Sequence, residues 1–315
     1  MKVGNNELSV GYNNEFGQSF FDLLHDYTDY IHSYFFSVGE TFFNQRMNIN
    51  HEIYKFKSIN TYGINGNLIF NNNLQMYFSN SLFIDIIDKL SHIINLTDVT
   101  VSFPHLGKMI KKYFPHLIIH SSVRYFAWSW DSLNISTYPK MLEEWVGIAD
   151  IINLDSIRSL TDYDLQKRCR ELGFGIKYIT GEGCISMNED NYNTLPGFEN
   201  ASCHTASGCK HVCSDIYRKY PWMELARIRI YKEMLDTIDY DIIKLATRSQ
   251  LNLSYVKDML DYYTTDGPTD YINNIKIPDG KYEIFMQYIN DRLHCSNKCG
   301  HCMKCEKYYQ EMLQI

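Results

Sequence analysis

The sequence has no apolar run approaching the roughly 18 residues that a membrane-spanning helix needs. Its opening stretch, MKVGNNELSVGYNNE, lacks the apolar core of a signal peptide. These two absences predict a cytoplasmic protein with no membrane partner.

Positive charge is in short supply, because 30 Lys and Arg residues face 37 Asp and Glu residues and give a formal net charge of -7. A nucleic-acid-binding surface needs a basic excess, so we expect no nucleic-acid partner. The basic strip of Lys108, Lys111 and Lys112 is interpreted as a solvated helix face. A small-molecule or peptide substrate is the expected partner, and a protein partner stays open.

Glycine-rich phosphate-binding turns are also missing at the starts of the predicted helices, which disfavours a doubly wound nucleotide-binding sheet. Short runs rich in β-branched and aromatic residues alternate instead with segments of helical period. The predicted strands are ELSVGYN (7–13), SYFFSV (33–38), NLIFNN (67–72), DVTVSFP (98–104), LIIHSS (117–122), DIINLD (150–155), GIKYIT (175–180) and DIIKLAT (241–247).

The clearest predicted helices between these strands are 20–32, 81–94, 138–147, 162–173 and 253–263. Gly173 stands where a left-handed helix C-cap is expected. The order and length of these units predict a (β/α)8 TIM-like barrel over residues 1–270. Residues 271–315 are predicted to form a Cys-rich, metal-binding C-terminal extension packed on that barrel.

Polar residues follow the predicted strands, at the end of a barrel where enzymes place their chemistry. The candidate proton carriers are His105, His120 and Glu182, and Arg248 is the candidate anion-binding residue, because its planar guanidinium suits a carboxylate or phosphate. Polarity at a strand end is also what contact with solvent produces. For His120, a hydrogen-bonded core histidine is the structural alternative.

Cysteine carries the strongest signal, since disulfides are rare in the cytoplasm and the chain has nine cysteines. Cys169 falls inside a predicted helix, where a buried structural thiol is expected. The other eight form two sets of four, which suit tetrahedral zinc or an iron–sulfur cubane. These are Cys184, Cys203, Cys209 and Cys213 after the seventh strand, and Cys295, Cys299, Cys302 and Cys305 near the C-terminus.

Three motifs in chain order carry a family resemblance. IKYITGEGC, ASCHTASGC and YDIIKLATRS resemble successive strand-end motifs of the peptidase U-32 family, also called collagenase-like proteases. The Cys-rich tail is similar to the tail that some members carry. Gly181 stands where the family has Asn, and Thr247 replaces the Gly before Arg248.

The resemblance implies a barrel with a 4Fe-4S cluster bound by Cys184, Cys203, Cys209 and Cys213. It also implies kinship with oxygen-independent hydroxylases. We therefore expect an iron–sulfur barrel enzyme that modifies a small molecule or peptide. The four C-terminal cysteines are expected to bind a second 4Fe-4S cluster or zinc. A U-32-type peptidase and a non-enzymatic, metal-stapled binding or maturation protein are the alternatives.

Overall fold

The computed structural model describes residues 4–13, 15–37, 49–70, 80–122, 138–154, 162–180, 229–230, 232–245, 252–265, 275–294, 307–308 and 311–312. Its strands are β1 (Leu8–Gly11), β2 (Ile31–Phe36), β3 (Gly66–Phe70), β4 (Leu96–Val101), β5 (Ile118–Ser121), β6 (Ile151–Leu154), β7 (Gly175–Thr180) and β8 (Ile242–Leu245). All pair in parallel with their neighbours in sequence, and β8 pairs with β1, so the barrel is closed. The predicted (β/α)8 fold is confirmed.

The described helices lie between and after these strands. They are α1 (Gln18–His25), α2 (Ile49–Phe56), α3 (Asn80–Ser91), α4 (Pro104–Tyr113), α5 (Tyr138–Glu143), α6 (Tyr163–Glu171), α7 (Leu253–Thr264) and α8 (Tyr282–Leu293). Within the described ranges, no helix combines the length and hydropathy needed to cross a bilayer.

The predicted helix over residues 20–32 is wrong at its end. Helix α1 stops at His25, and β2 already begins at Ile31. The Leu8 backbone N–H donates to the Tyr30 carbonyl at 2.8 Å, so the chain before β2 bonds to β1 and does not continue the helix. Gly173, by contrast, follows α6 with a φ of 83°, the left-handed conformation predicted for it.

The two faces of each strand are buried in different surroundings. One face carries apolar side chains such as Val10, Leu68 and Val99, which belong to one hydrophobic cluster with the helices. We call this layer the outer shell. The other face points into the barrel and carries polar side chains that are also buried, here called the lumen. The buried lumen side chains include Ser9, Ser33, Asn67, Asp98, Thr100, His120 and Lys177, and Lys244 is a partly buried member.

Contacts that skip a strand establish that these polar side chains lie inside the barrel. Lys177 on β7 donates to Ser9 on β1 at 3.2 Å, although β8 lies between those strands. Lys244 on β8 places its Nζ 4.1 Å from the ring centroid of Phe35 on β2, across β1. Such contacts are short only through the interior of a closed sheet.

The described part of the C-terminal extension joins the same apolar cluster. Phe285 and Ile289 of α8 are each 1% exposed and belong to it, together with Met312. Tyr308 donates to the Asp291 carboxylate at 2.8 Å. The two flanks of the segment that holds the last four cysteines are thus in contact. The predicted boundary at residue 270 stays a prediction.

Candidate functional site

Three metal-ligating side chains meet in the lumen. Asp98 of β4 accepts a hydrogen bond on Oδ1 from His120 Nε2 at 2.6 Å and another from His32 Nε2 at 3.1 Å. Asp98 and His120 are fully buried, whereas the His32 side chain is 19% exposed. We call these residues the His–Asp–His cluster. It combines three strands, since His32 belongs to β2 and His120 to β5.

Two register shifts accompany the cluster. The pairing of β1 with β2 passes from Ile31 to Ser33 and leaves His32 as an extra residue. The pairing of β3 with β4 passes in the same way from Leu96 to Asp98 and leaves Thr97 unpaired in the register. Bulges re-aim side chains and are frequent next to active sites. Here they allow His32 to reach Asp98 across β3.

Asp98 is the ionised member of the cluster. Burial alone would raise the pKa of its carboxyl, but the hydrogen bonds from His120 and His32 outweigh burial and hold that pKa well below its usual value. Thr97 adds a third bond, from its hydroxyl to Asp98 Oδ2 at 2.5 Å. The carboxylate can only accept, so each histidine donates an Nε2–H to it.

His120 is neutral at physiological pH. Burial, reinforced by the nearby positive charge of Lys177, lowers the pKa of its imidazole to about 4, although Asp98 acts in the opposite direction. Its Nδ1 atom is buried and has no hydrogen-bond partner among the described residues. The ring therefore offers an unused lone pair to whatever else enters the lumen.

Lys177 is the second unusual group, a lysine only 1% exposed in the middle of the barrel. Burial lowers the pKa of its ammonium to about 7, helped by the charge of Lys244 and opposed by Asp98. Its Nζ donates to Ser9 Oγ, and Ser9 Oγ in turn shares a hydrogen bond of 3.2 Å with Ser33 Oγ. A lysine that is partly unprotonated near pH 7 can act as a general base or as an amine nucleophile.

The structure separates the two predicted histidines. His120 belongs to the lumen network, whereas His105 is exposed at the second position of α4, directly after β4, and stacks on Phe103 with 5.6 Å between ring centroids. His105 and His120 therefore do not belong to one hydrogen-bonded group.

Cys169 is buried in α6 as predicted, and burial raises the pKa of its thiol to about 12. It is therefore a poor ligand and a poor nucleophile.

The remaining predicted site residues lie outside the described ranges. These are Glu182, Arg248, Cys184, Cys203, Cys209, Cys213, Cys295, Cys299, Cys302 and Cys305. Their assigned roles stay predictions. The sequence reasoning missed His32, Asp98 and Lys177. The signal for Asp98 and Lys177 is a polar residue inside a strand expected to be buried on both faces. His32 lacked that signal, because the predicted helix over residues 20–32 included it.

Comparison with known proteins adds little to this geometry. No family model matches the chain, and no curated protein matches it. Among solved structures, the chain is similar to the aldose reductase from Schistosoma japonicum with 10% sequence identity and a TM-score of 0.42. The match covers 93% of this chain and 92% of that one. A likeness at this level carries no argument about chemistry, and the fold is established by the strand topology itself.

Proposed function

We propose that this protein is an iron–sulfur barrel enzyme that modifies a small molecule or peptide, with oxygen-independent hydroxylation as its reaction. The observation that carries the proposal is the pairing of β7 with β8 in a closed barrel, because the predicted cluster and the predicted anion-binding residue follow these two strands. Barrel enzymes assemble their sites from the segments that follow the carboxyl ends of the strands.

The ends of β7 and β8 are level with each other. Thr180, the last residue of β7, is in register with Leu245, the last residue of β8. Cys184 follows Thr180 by four residues, and Arg248 follows Leu245 by three. The 61 residues between Thr180 and Ile242 include Cys203, Cys209 and Cys213 as well. The predicted cluster ligands and the predicted anion-binding residue therefore follow strands that end at the same edge of the barrel.

The donor set fits an iron–sulfur centre. Four thiolates close in sequence satisfy the ligand requirement of a 4Fe-4S cluster, and three leave one iron open to bind and polarise an oxygen donor. Arg248 would bind a carboxylate or phosphate of the substrate or donor through two parallel hydrogen bonds. Glu182, two residues before Cys184, would move the proton.

The second cysteine set belongs to a segment with its flanks in contact. Besides the bond from Tyr308 to Asp291, Lys281 Nζ donates to the Glu311 carbonyl at 2.8 Å. Cys295, Cys299, Cys302 and Cys305 all fall between Asp291 and Tyr308 in sequence. These contacts support the proposal that the segment encloses a second centre, either 4Fe-4S or zinc.

Single cysteine replacements test the ligand assignment. Cys184→Ser is expected to lower the iron and acid-labile sulfide of anaerobically purified protein by about one cluster per chain. The matched control is Cys169→Ser, which changes a buried thiol in α6 and should keep the wild-type content. Equal iron in both variants would remove Cys184 from the cluster.

Arg248→Ala separates binding from structure. Because the guanidinium is assigned to the substrate or donor, the variant should retain full iron and sulfide while losing turnover. Loss of iron in this variant would make Arg248 a structural residue and overturn its proposed role.

A further inference from the structure

The iron–sulfur chemistry proposed above assigns proton transfer to Glu182 and leaves the His–Asp–His cluster, including the candidate proton carrier His120, without a role. We propose that His32, Asp98 and His120 bind one divalent transition-metal ion inside the barrel, independent of the cysteine centres.

The geometry of the three donors supports this site. Their ligand atoms all lie within 4.8 Å of one another. Bonds of 2.0 to 2.2 Å to a tetrahedral ion place neighbouring ligands about 3.4 Å apart. The observed separations from Asp98 Oδ1 are 2.6 Å to His120 and 3.1 Å to His32, so each histidine nitrogen needs to move away from Asp98 by less than about 1 Å. The ligand atoms of the two histidines lie within 4.8 Å of each other and need to approach by at most about 1.4 Å.

The hydrogen bonds of the cluster are also compatible with metal binding. A metal ion needs a carboxylate oxygen and imidazole nitrogens that converge on one point, and Asp98 Oδ1 already faces the Nε2 atoms of both histidines. To bind an ion through Nε2, His120 has to move its proton to Nδ1. That atom is buried and unpartnered within the described residues, so it can take the proton without breaking another bond.

The chemistry of the set defines the class of ion. Two imidazoles and one carboxylate suit Zn²⁺, Fe²⁺ and related ions, and three protein ligands leave at least one position for water or substrate. Partial exposure of His32 gives an ion a route to the cluster, whereas the other two ligands are fully buried.

Cobalt binding to the full chain tests the proposal. Co²⁺ bound by nitrogen and oxygen shows only weak visible bands, whereas thiolate ligands add an intense charge-transfer band, so the two kinds of site are distinguishable. Wild-type protein with its cysteine centres filled should take up one further equivalent of Co²⁺ without a thiolate band. His32→Gln should lose that equivalent, with affinity reduced more than about 100-fold because a direct ligand is removed.

The matched control is His92→Gln, which changes a histidine of an exposed pair with Asp88 on the surface. This variant should bind Co²⁺ as the wild type does. Equal binding by His32→Gln and wild type would overturn the proposal, as would the absence of any further equivalent in wild type.

A second measurement does not depend on the folding of any variant. X-ray absorption of the added ion in wild-type protein should show nitrogen and oxygen neighbours only. Sulfur neighbours would assign the ion to the cysteines and overturn the proposal. Because wild-type iron and sulfide are measured separately, failure of this site is distinguishable from failure of the proposed iron–sulfur function.

Discussion

The lumen and the outer shell are built from the same strands and both are largely buried, yet they differ in composition. In β4, Val99 is fully buried in the outer shell, whereas Asp98 and Thr100 are buried in the lumen. Burial of apolar surface in the outer shell stabilises the fold at about 25 cal/mol per Å². Polar lumen groups have a desolvation cost that only their mutual hydrogen bonds offset. The outer shell therefore holds the barrel closed, and the lumen is where we place the proposed metal site.

The largest loss of unfolding free energy is expected when the charge of Asp98 is removed from the lumen, compared with the addition of a hydroxyl to the outer shell. Asp98→Asn keeps the side-chain shape but removes the acceptor charge shared by His32 and His120, and should cost about 3–5 kcal/mol of unfolding free energy. Val99→Thr puts a hydroxyl into the outer shell at a cost of about 1–3 kcal/mol. Urea unfolding of both variants measures the difference. A larger loss from Val99→Thr would contradict the central position of Asp98 in the network.

Acid should destabilise the protein through His120. Its folded pKa of about 4 lies below the unfolded value near 6.5, so the unfolded state binds more protons between these pH values. Stability should therefore fall as pH drops from 6.5 to 4, by an amount of order 3 kcal/mol. His120→Asn should flatten that part of the curve, while His92→Asn, at an exposed histidine, should not. Parallel curves for His120→Asn and wild type would contradict the buried neutral imidazole.

Lys177→Met should stabilise the protein near neutral pH. The folded pKa of Lys177 is about 7, well below its ordinary value of 10.5, so wild-type stability should rise with pH across that interval. Loss of the bond to Ser9 and of the attraction to Asp98 offsets part of the gain, which leaves roughly 2 kcal/mol at pH 7. The advantage should shrink toward pH 10.5 in chemical unfolding. A Met variant less stable than wild type at pH 7 would show that the lumen charges are net stabilising.

The smallest effect is expected at Thr100. Its hydroxyl donates to Asn67 Oδ1 at 2.9 Å, and both side chains are buried. Thr100→Val should cost about 1 kcal/mol, because the Asn67 acceptor loses its donor. Thr28→Val, at an exposed threonine whose hydroxyl donates to the His25 backbone carbonyl at 3.3 Å, should change stability by less than about 0.5 kcal/mol. Equal losses of stability in Thr100→Val and Thr28→Val would mean that burial does not strengthen the hydrogen bond between Thr100 and Asn67.

The barrel could be predicted because its signals are local. Runs such as LIIHSS and GIKYIT have the β-branched composition of buried strands, and all eight predicted strands are present. The end of α1 could not be predicted in the same way. Tyr27 and Tyr30 continue the aromatic pattern of the helix, and only pairing with β1 fixes where β2 begins.

The His–Asp–His cluster depends on contacts that the sequence does not show. His120 was recognisable as a candidate, but its partner Asp98 is 22 residues away and His32 is 66 residues from Asp98. Their meeting depends on the register shifts at His32 and Thr97, which local sequence patterns do not reveal. The cysteine sets are the reverse case, since the prediction that they bind metal rests on their spacing in the sequence alone.

The most direct test of the proposed function is the content of iron, acid-labile sulfide and zinc in wild-type protein purified without oxygen. Two clusters predict about eight irons and eight sulfides per chain, and one cluster with a zinc tail predicts about four of each with zinc at the C-terminal site. Zinc in both cysteine sets with no iron or sulfide would contradict an iron–sulfur enzyme and would leave the metals with a structural role only.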